Sequence, residues 1–348
     1  MAAICCMIVA CIVVLYCLYF SARRNKFRHQ KERIKELIDP YISQSVLLAM
    51  DAEETNPRLP GFDELQQHCK NPYSRKVIID ELLLARKNLS GQAAETVMQL
   101  YTSLQLQLDS EKKLRHYKWH KKAKGIQELS LMQQRQYWKN IYRLTDNHNE
   151  LVRIEAQAGI VRLLGFIGLR FLNTASYQLT EWQQINLLRL LEAMPGTDFK
   201  GIERWLNSQN TSVVIFALKL VASFRRYELH DLTLKCLQRT EPAIRQQTFR
   251  ALANIYSEDT AEYIIRQYPS ESHDNKLEAL KALGKIGAEE VAPFLVEETS
   301  SADHQIRMEA ARALLQSSKA GSLVLQQKGF SDPSWNIILE QLQNELRA

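Results

Sequence analysis

The sequence predicts an all-α protein in which an N-terminal transmembrane helix is followed by a solenoid of stacked helix pairs. Three observations lead to this prediction. Gly and Pro are scarce, at 12 and 9 of 348 residues, and long stretches rich in Leu, Ala, Gln, Glu, Lys and Arg favour helices over a β-sandwich or barrel. An unbroken apolar run stands at the N-terminus. Similar amphipathic segments return at a regular interval through the C-terminal half.

The apolar run covers residues 2–20 and contains no charged side chain. As a helix it would be about 29 Å long, close to the hydrocarbon thickness of a bilayer. Four basic residues follow it closely, and the positive-inside rule then puts the N-terminus outside and the rest of the chain in the cytoplasm. We therefore predict a single-pass anchor at residues 1–22. The basic residues that we expect to contact anionic lipid are Arg23, Arg24, Lys26 and Arg28.

The segments after the anchor are separated by changes in pattern. Residues 23–50 are predicted to form a basic juxtamembrane helix, and residues 51–73, which contain several Pro and Asn, a linker. Residues 74–145 return to helical patterns, and whether they are degenerate repeats stays open. Residues 146–348 carry the regular repeat, which ends in a polar cap.

The repeat is defined by one reference position in each unit, at intervals of 29–31 residues. Residues three, seven and ten positions further on are mainly apolar and share one helical face, and the residue six positions on is small or apolar. A shorter amphipathic segment separates these helices, so each unit is a helix pair that must stack on its neighbours to bury its apolar face. The reference residues are Arg153, Gln184, Val214, Arg245, Lys276, Arg307 and Asn336.

Four strings in this region resemble the second helix of HEAT repeats, particularly the short bacterial type, similar to PBS lyases. They read LVRIEAQAGIVRLLG, AIRQQTFRALANI, NKLEALKALGKIG and QIRMEAARALLQ. The resemblance implies a helical solenoid used for protein–protein contact. It also implies a membrane-anchored bacterial protein whose partner is a glycosyltransferase or another component of polysaccharide synthesis.

Motifs for catalysis are missing from the sequence. It has no phosphate-binding Gly loop and no Gly-x-Ser-x-Gly elbow, and the pair His116 and His120 lacks a third metal ligand nearby. We therefore expect no enzyme activity, cofactor, metal or small-molecule substrate. A lyase related to the bacterial repeats is the enzymatic alternative, and the lack of a catalytic constellation argues against it.

The first candidate binding surface is a row of basic residues, five positions after the reference residue in five consecutive repeats. Stacked repeats would align these side chains into a strip for an acidic, membrane-associated protein partner. The competing interpretation is an exposed helix face with ordinary pairs, such as Glu278 with Lys281. The members of this basic row are Arg189, Lys219, Arg250, Lys281 and Arg312.

The second candidate is the basic segment 112–124, which has seven Lys or Arg residues and no acidic residue. It could contact anionic lipid or, as a weaker alternative, nucleic acid. The competing interpretation is a solvated helix whose apolar residues, including Leu114 and Trp119, pack inward. The residues that would carry the lipid contact are Lys118, Lys121, Lys122 and Lys124. Together these patterns predict a membrane-tethered scaffold that binds a protein partner through its solenoid.

Overall fold

The computed structural model describes residues 2–48, 62–194, 199–317 and 321–331, and the single residues 335, 340, 342, 344 and 345. Within the helices, the side chains of residues 2–10 and of several others, including Arg23 and Lys26, lie outside the described part. The described residues form helices and no β-strand, which confirms the all-α prediction. They divide into two compact units, residues 1–169 and 170–348.

Unit 1 has eight α-helices among the described residues, with a short 3₁₀ helix at Arg135–Tyr137 between the sixth and the seventh. The α-helices are α1 (Ala2–Leu48), α2 (Phe62–His68), α3 (Pro72–Asn88), α4 (Gly91–Ser103), α5 (Gln107–Leu114), α6 (Trp119–Leu131), α7 (Trp138–Tyr142) and α8 (Glu150–Leu164).

The C-terminal part of α1 belongs to the core of unit 1. Ile34 and Ile38 are fully buried, and α1 packs against α3 and α4. The predicted linker 51–73 is wrong over residues 62–68, which form α2, because Leu65 is buried in the same core. At the end of that segment, Asn71 caps α3 by accepting a hydrogen bond from the backbone N–H of Tyr73 at 2.9 Å.

No helix in the described part of the chain combines the length and the apolar character needed to cross a membrane. The side chains of residues 2–10, which form the first half of the predicted run 2–20, lie outside the description, and so does residue 1. The anchor at residues 1–22 therefore stays a prediction.

Unit 2 contains ten α-helices within its described ranges, and most of them alternate between long and short. They are α9 (Glu181–Glu192), α10 (Ile202–Leu206), α11 (Thr211–Ser223), α12 (His230–Lys235), α13 (Pro242–Leu252), α14 (Thr260–Gln267), α15 (His273–Ile286), α16 (Ala292–Glu298), α17 (His304–Ser317) and α18 (Gly321–Ser331).

Two long helices of unit 2 begin at residues whose side chains cap them. Asn210 accepts a hydrogen bond from the N–H of Ser212 at 3.1 Å, and Asp303 accepts one from Ile306 at 3.1 Å. Pro242 occupies the first turn of α13, where its missing N–H needs no partner. We call α9, α11, α13, α15 and α17 the second helices, because each follows a shorter segment in its repeat.

A small residue lets α15 and α17 approach closely. A Cβ atom added to Gly284 of α15 would lie 2.7 Å from the Cα of Ala313 in α17. The core around this contact includes Leu283 and Leu314, both fully or almost fully buried. Gly284 therefore sets the spacing of the two helices.

Candidate functional site: the exposed faces of the second helices

The arginines at the reference position have a structural role that is the same in three repeats. Each donates from Nη1 to the backbone carbonyl six residues earlier, so it ties the start of the second helix to the preceding turn. In unit 1, Arg153 reaches the carbonyl of Asn147 at 2.8 Å. In unit 2 the matching bonds are from Arg245 to Arg239 at 2.7 Å and from Arg307 to Ser301 at 3.1 Å.

Part of the predicted basic row is neutralised by glutamates. The Arg250 guanidinium binds both carboxylate oxygens of Glu278, at 2.9 and 3.0 Å, and Lys281 lies 3.1 Å from the same carboxylate. The hydrogen bond from Arg250, opposed by burial, holds the pKa of Glu278 below its usual value. Two cations of the row therefore share one anion, which lies in the same helix as Lys281 and in the repeat after that of Arg250.

The same pairing continues toward both ends of the row. Arg312 contacts Glu309 and donates to Glu345 at 2.7 Å. Lys219 lies 3.6 Å from Glu181, which is itself highly exposed. These four cations thus serve contacts within unit 2, and their side chains do not present a continuous positive strip.

The fifth member, Arg189, is exposed and has no ion-pair partner among the described residues. Two large apolar side chains lie on the same face of α9, because residues three and seven positions apart in a helix are neighbours. Trp182 is 64% exposed and Ile185 is 40% exposed. We call Trp182, Ile185 and Arg189 the α9 face. Its composition matches that of protein-binding hot spots, where Trp and Arg are enriched.

The exposure of Trp182 has a counterpart in the sequence, in the residue types found at its position in the repeats. Trp182 stands two positions before the reference residue of its repeat. Later repeats of unit 2 have small or polar residues at this position, namely Ser212, Ala243, Asp274 and Gln305. The first repeat has Leu151 at this position, which is 52% exposed, so a large apolar residue here can lie at the surface.

The basic segment 112–124 is not one helix, contrary to the interpretation as a solvated helix. It spans the end of α5 and the start of α6, and the backbone N–H of Lys118 donates to Nδ1 of His116 at 3.0 Å in the turn between them. Leu114 is buried as expected, but Trp119 is 47% exposed. The turn breaks the helical register, so the side chains on either side of it do not share one face.

The predicted lipid-contact residues have different surroundings. Lys118 and Lys121 are exposed, and Lys122 is half-buried. Lys124 lies 2.7 Å from Asp80 of α3. In α1, the exposed Arg28 donates to Asn25 at 3.4 Å. Arg24 is also exposed, whereas the side chains of Arg23 and Lys26 lie outside the description.

Comparison with known proteins shows the fold and no family. No family model and no curated protein matches the chain. A crystal structure of a Kap121p mutant is similar, with a TM-score of 0.52, 10% identity, and coverage of 84% of this chain and 41% of that one. A structure of importin beta has a TM-score of 0.45 and 12% identity, and covers 89% of this chain and 47% of that one. A crystal structure of an engineered protein is similar with a TM-score of 0.39 and 16% identity, and the match covers 77% of this chain and 82% of that one.

The chain spans less than half the length of the two karyopherin structures. The Kap121p similarity supports the predicted HEAT-like fold, a helical solenoid.

Proposed function

We propose that the chain is a scaffold that binds a protein partner through the α9 face. The main support is that Trp182, Ile185 and Arg189 are exposed on one helix face. The other members of the basic row form ion pairs with glutamates of unit 2. An exposed Trp beside an arginine with no ion-pair partner among the described residues supplies both apolar area and a donor that can bind a carboxylate in two places.

The exposed guanidinium of Arg189 favours an acidic surface on the partner. A carboxylate of the partner that binds Arg189 would be partly shielded from water by Trp182 and Ile185, which strengthens the ion pair. Lys219 flanks this face but is held by Glu181 at 3.6 Å. The partner therefore needs only one well-placed acidic group together with an apolar patch.

We further propose that the scaffold is tethered to a membrane by residues 2–20, with the N-terminus outside and the solenoid in the cytoplasm. The side chains that the structure describes in this run are exposed and apolar on every side of α1, for example Leu15 at 65% and Phe20 at 57%. Such a surface is unfavourable in water. A tether raises the effective concentration of the α9 face for membrane-bound partners.

The nature of the partner and the absence of catalysis complete the proposal. A membrane glycosyltransferase or another protein of polysaccharide synthesis is proposed from the resemblance to bacterial repeat proteins alone. We propose that the chain acts by binding and not as an enzyme, since its polar clusters serve to join helices. Contact of residues 112–124 with anionic lipid or nucleic acid is the alternative function, and the charge of that segment favours it.

The test is photo-crosslinking in cells from a reactive amino acid placed at position 182. The matched control carries the same amino acid at position 263, because Tyr263 is also an exposed aromatic, at 45%, but lies on the short helix α14. We expect one dominant membrane protein linked at position 182 and absent at position 263. The addition of Arg189→Glu should remove that product. The same products at both positions would refute the α9 face as the binding surface.

A further inference from the structure

A basic cavity in unit 1 brings side chains of the basic segment 112–124 together with residues of α3. It lies among α3, α5 and α6, has a volume of about 760 Å³, and is lined in part by the apolar side chains of Ile79 and Leu108. Asp109 is the single acidic residue in its lining. The cationic residues of the lining are Arg75, Lys76, Lys112, Lys113, Lys121 and Lys124.

Three of these cations are held by carboxylates. Arg75 pairs with Asp109 and donates to the carbonyl of Gln105 at 2.9 Å. Lys113 lies 2.6 Å from Glu128, whose side chain is fully buried, and Lys124 lies 2.7 Å from Asp80. These contacts fix the wall of the cavity, because Arg75 joins α3 to α5 and to the loop before it, and the two lysine pairs join α5 and α3 to α6.

The remaining three cations leave the cavity positively charged. Lys76 and Lys121 have no carboxylate partner among the described residues, and Lys112 is 3.8 Å from Asp109, which already binds Arg75. The Lys121 ammonium is 3.4 Å from Nε2 of His116. Partial burial, together with Lys121, Lys118 and His120, lowers the pKa of His116. This direction is expected where the local potential is positive.

We propose that this cavity binds a ligand that carries two or more phosphate groups close together. A single carboxylate would neutralise only one of these three charges, whereas clustered phosphates match several of them and accept hydrogen bonds from lysine and arginine. The proposal does not depend on the α9 face, since the cavity is lined by unit 1 alone.

The phosphate groups can belong to a lipid headgroup or to a free polyphosphate, and the exposed aromatic residues beside the cavity favour the headgroup. Tyr117 and Trp119 stand between the cavity-lining residues His116 and His120, and they are 81% and 47% exposed. Tyr and Trp are enriched at the membrane–water interface, where the ring is partly in lipid and the polar atom in water. These side chains would enter the interface while the cavity holds the phosphates.

The first experiment is a titration of the full-length chain in detergent with inositol hexakisphosphate. The test variant is Lys76→Gln/Lys121→Gln, which removes two exposed charges of the lining that pair with no carboxylate in the described part of the chain. The control is Lys118→Gln/Lys122→Gln, which removes two charges from the same basic segment outside the lining. We expect the test variant to bind about tenfold more weakly or worse, and the control to change by less than about threefold. Unchanged melting temperatures would show that both variants are folded.

The second experiment separates the two sources of phosphate. Hydrogen exchange of residues 72–124 is compared in nanodiscs of phosphatidylcholine with and without phosphatidylinositol bisphosphate. Protection that needs this lipid and is lost in the test variant identifies a headgroup, and protection by inositol hexakisphosphate alone identifies a free polyphosphate. The proposal is overturned if neither probe binds, or if both double variants lose binding equally. Tighter binding of a single-stranded oligonucleotide, lost equally in both variants, would also overturn it.

Discussion

The buried ion pair between Arg245 and Glu271 gives a sharp test of how the repeats of unit 2 are joined. Arg245 Nε lies 2.7 Å from a carboxylate oxygen of Glu271, whose side chain is fully buried. Nη1 of the same guanidinium binds the carbonyls of Arg239 and Thr240 at 2.7 and 2.9 Å. Asn275 donates to the second carboxylate oxygen at 2.7 Å. One arginine therefore satisfies a buried charge and two backbone acceptors.

Arg245→Met is expected to lower the free energy of unfolding by about 3–5 kcal/mol, because it leaves the carboxylate of Glu271 buried without its countercharge. Arg307→Met is the matched control, since Arg307 makes the same carbonyl bond, at 3.1 Å, and has no buried acid as partner among the residues that the structure describes. Arg307→Met should lower the free energy of unfolding by about 1.5–3 kcal/mol at most. Arg245→Met/Glu271→Gln should regain part of the stability, because Gln is neutral and still accepts from Asn275.

The effect should depend on pH in a defined direction. Burial raises the pKa of Glu271, but hydrogen bonds from Arg245, Asn275 and Gln267 outweigh this effect and hold that pKa below its usual value. A depressed pKa in the folded state contributes stability above the unfolded pKa, about 4.3, which is lost as pH falls through the folded value. Arg245→Met removes this contribution, so its cost should be largest at neutral pH and shrink below about pH 4.3.

Urea unfolding at pH 7 and pH 4 measures these differences, and hydrogen exchange assigns them to α13 and α15. The reasoning fails if Arg245→Met and Arg307→Met cost the same at pH 7. It also fails if the cost of Arg245→Met does not fall with pH, because an uncompensated carboxylate would then not be its source.

Three further changes test the packing, capping and electrostatics of unit 2. Gly284→Ala should lower the free energy of unfolding by about 1–3 kcal/mol, since the new Cβ meets the backbone of Ala313 at 2.7 Å; no change in a denaturation curve would exclude this close approach. Asn210→Ala removes the cap of α11 and should cost about 1–2 kcal/mol, with faster hydrogen exchange confined to the first turn of that helix. His273→Gln should abolish a loss of stability that begins above about pH 6.5, because the bond to Asp303 at 3.1 Å raises the pKa of His273 in the folded state and its contribution vanishes as pH rises through that raised value. A melting temperature with the same pH dependence in this variant would assign the effect to another group.

The fold could be predicted from the sequence because every repeat carries its own local signals. Asn210 and Asp303 cap helices by short-range hydrogen bonds, and the apolar spacing places each helix face, so neither depends on distant parts of the chain. Thr260–Gln267 and Ala292–Glu298 likewise form helices close to where the shorter amphipathic segments stand. Such signals can be recognised in the sequence without knowledge of the tertiary structure.

The candidate sites could not be predicted as well, because their charges are set by neighbours from other helices. The basic row was expected to be free, yet Arg250 is neutralised by Glu278, 28 residues later. The basic cavity needs Lys76 of α3 beside Lys121 of α6, and residues 74–145 lack a register that would bring them together. For the α9 face the sequence signal is Trp182, and for the cavity it is limited to the basic segment 112–124.

The arginine bond to the carbonyl six residues earlier has a consequence for how the gene of such a protein can change length. Donor and acceptor lie within one repeat, as in Arg245 with Arg239, so a duplicated or deleted stretch of one full period carries its own complete bond. The links between repeats differ from this bond, since Arg250 requires a glutamate from the next repeat. Insertion of a whole repeat should therefore be tolerated where the following repeat has a glutamate at this position. A changed order of the repeats should not be tolerated.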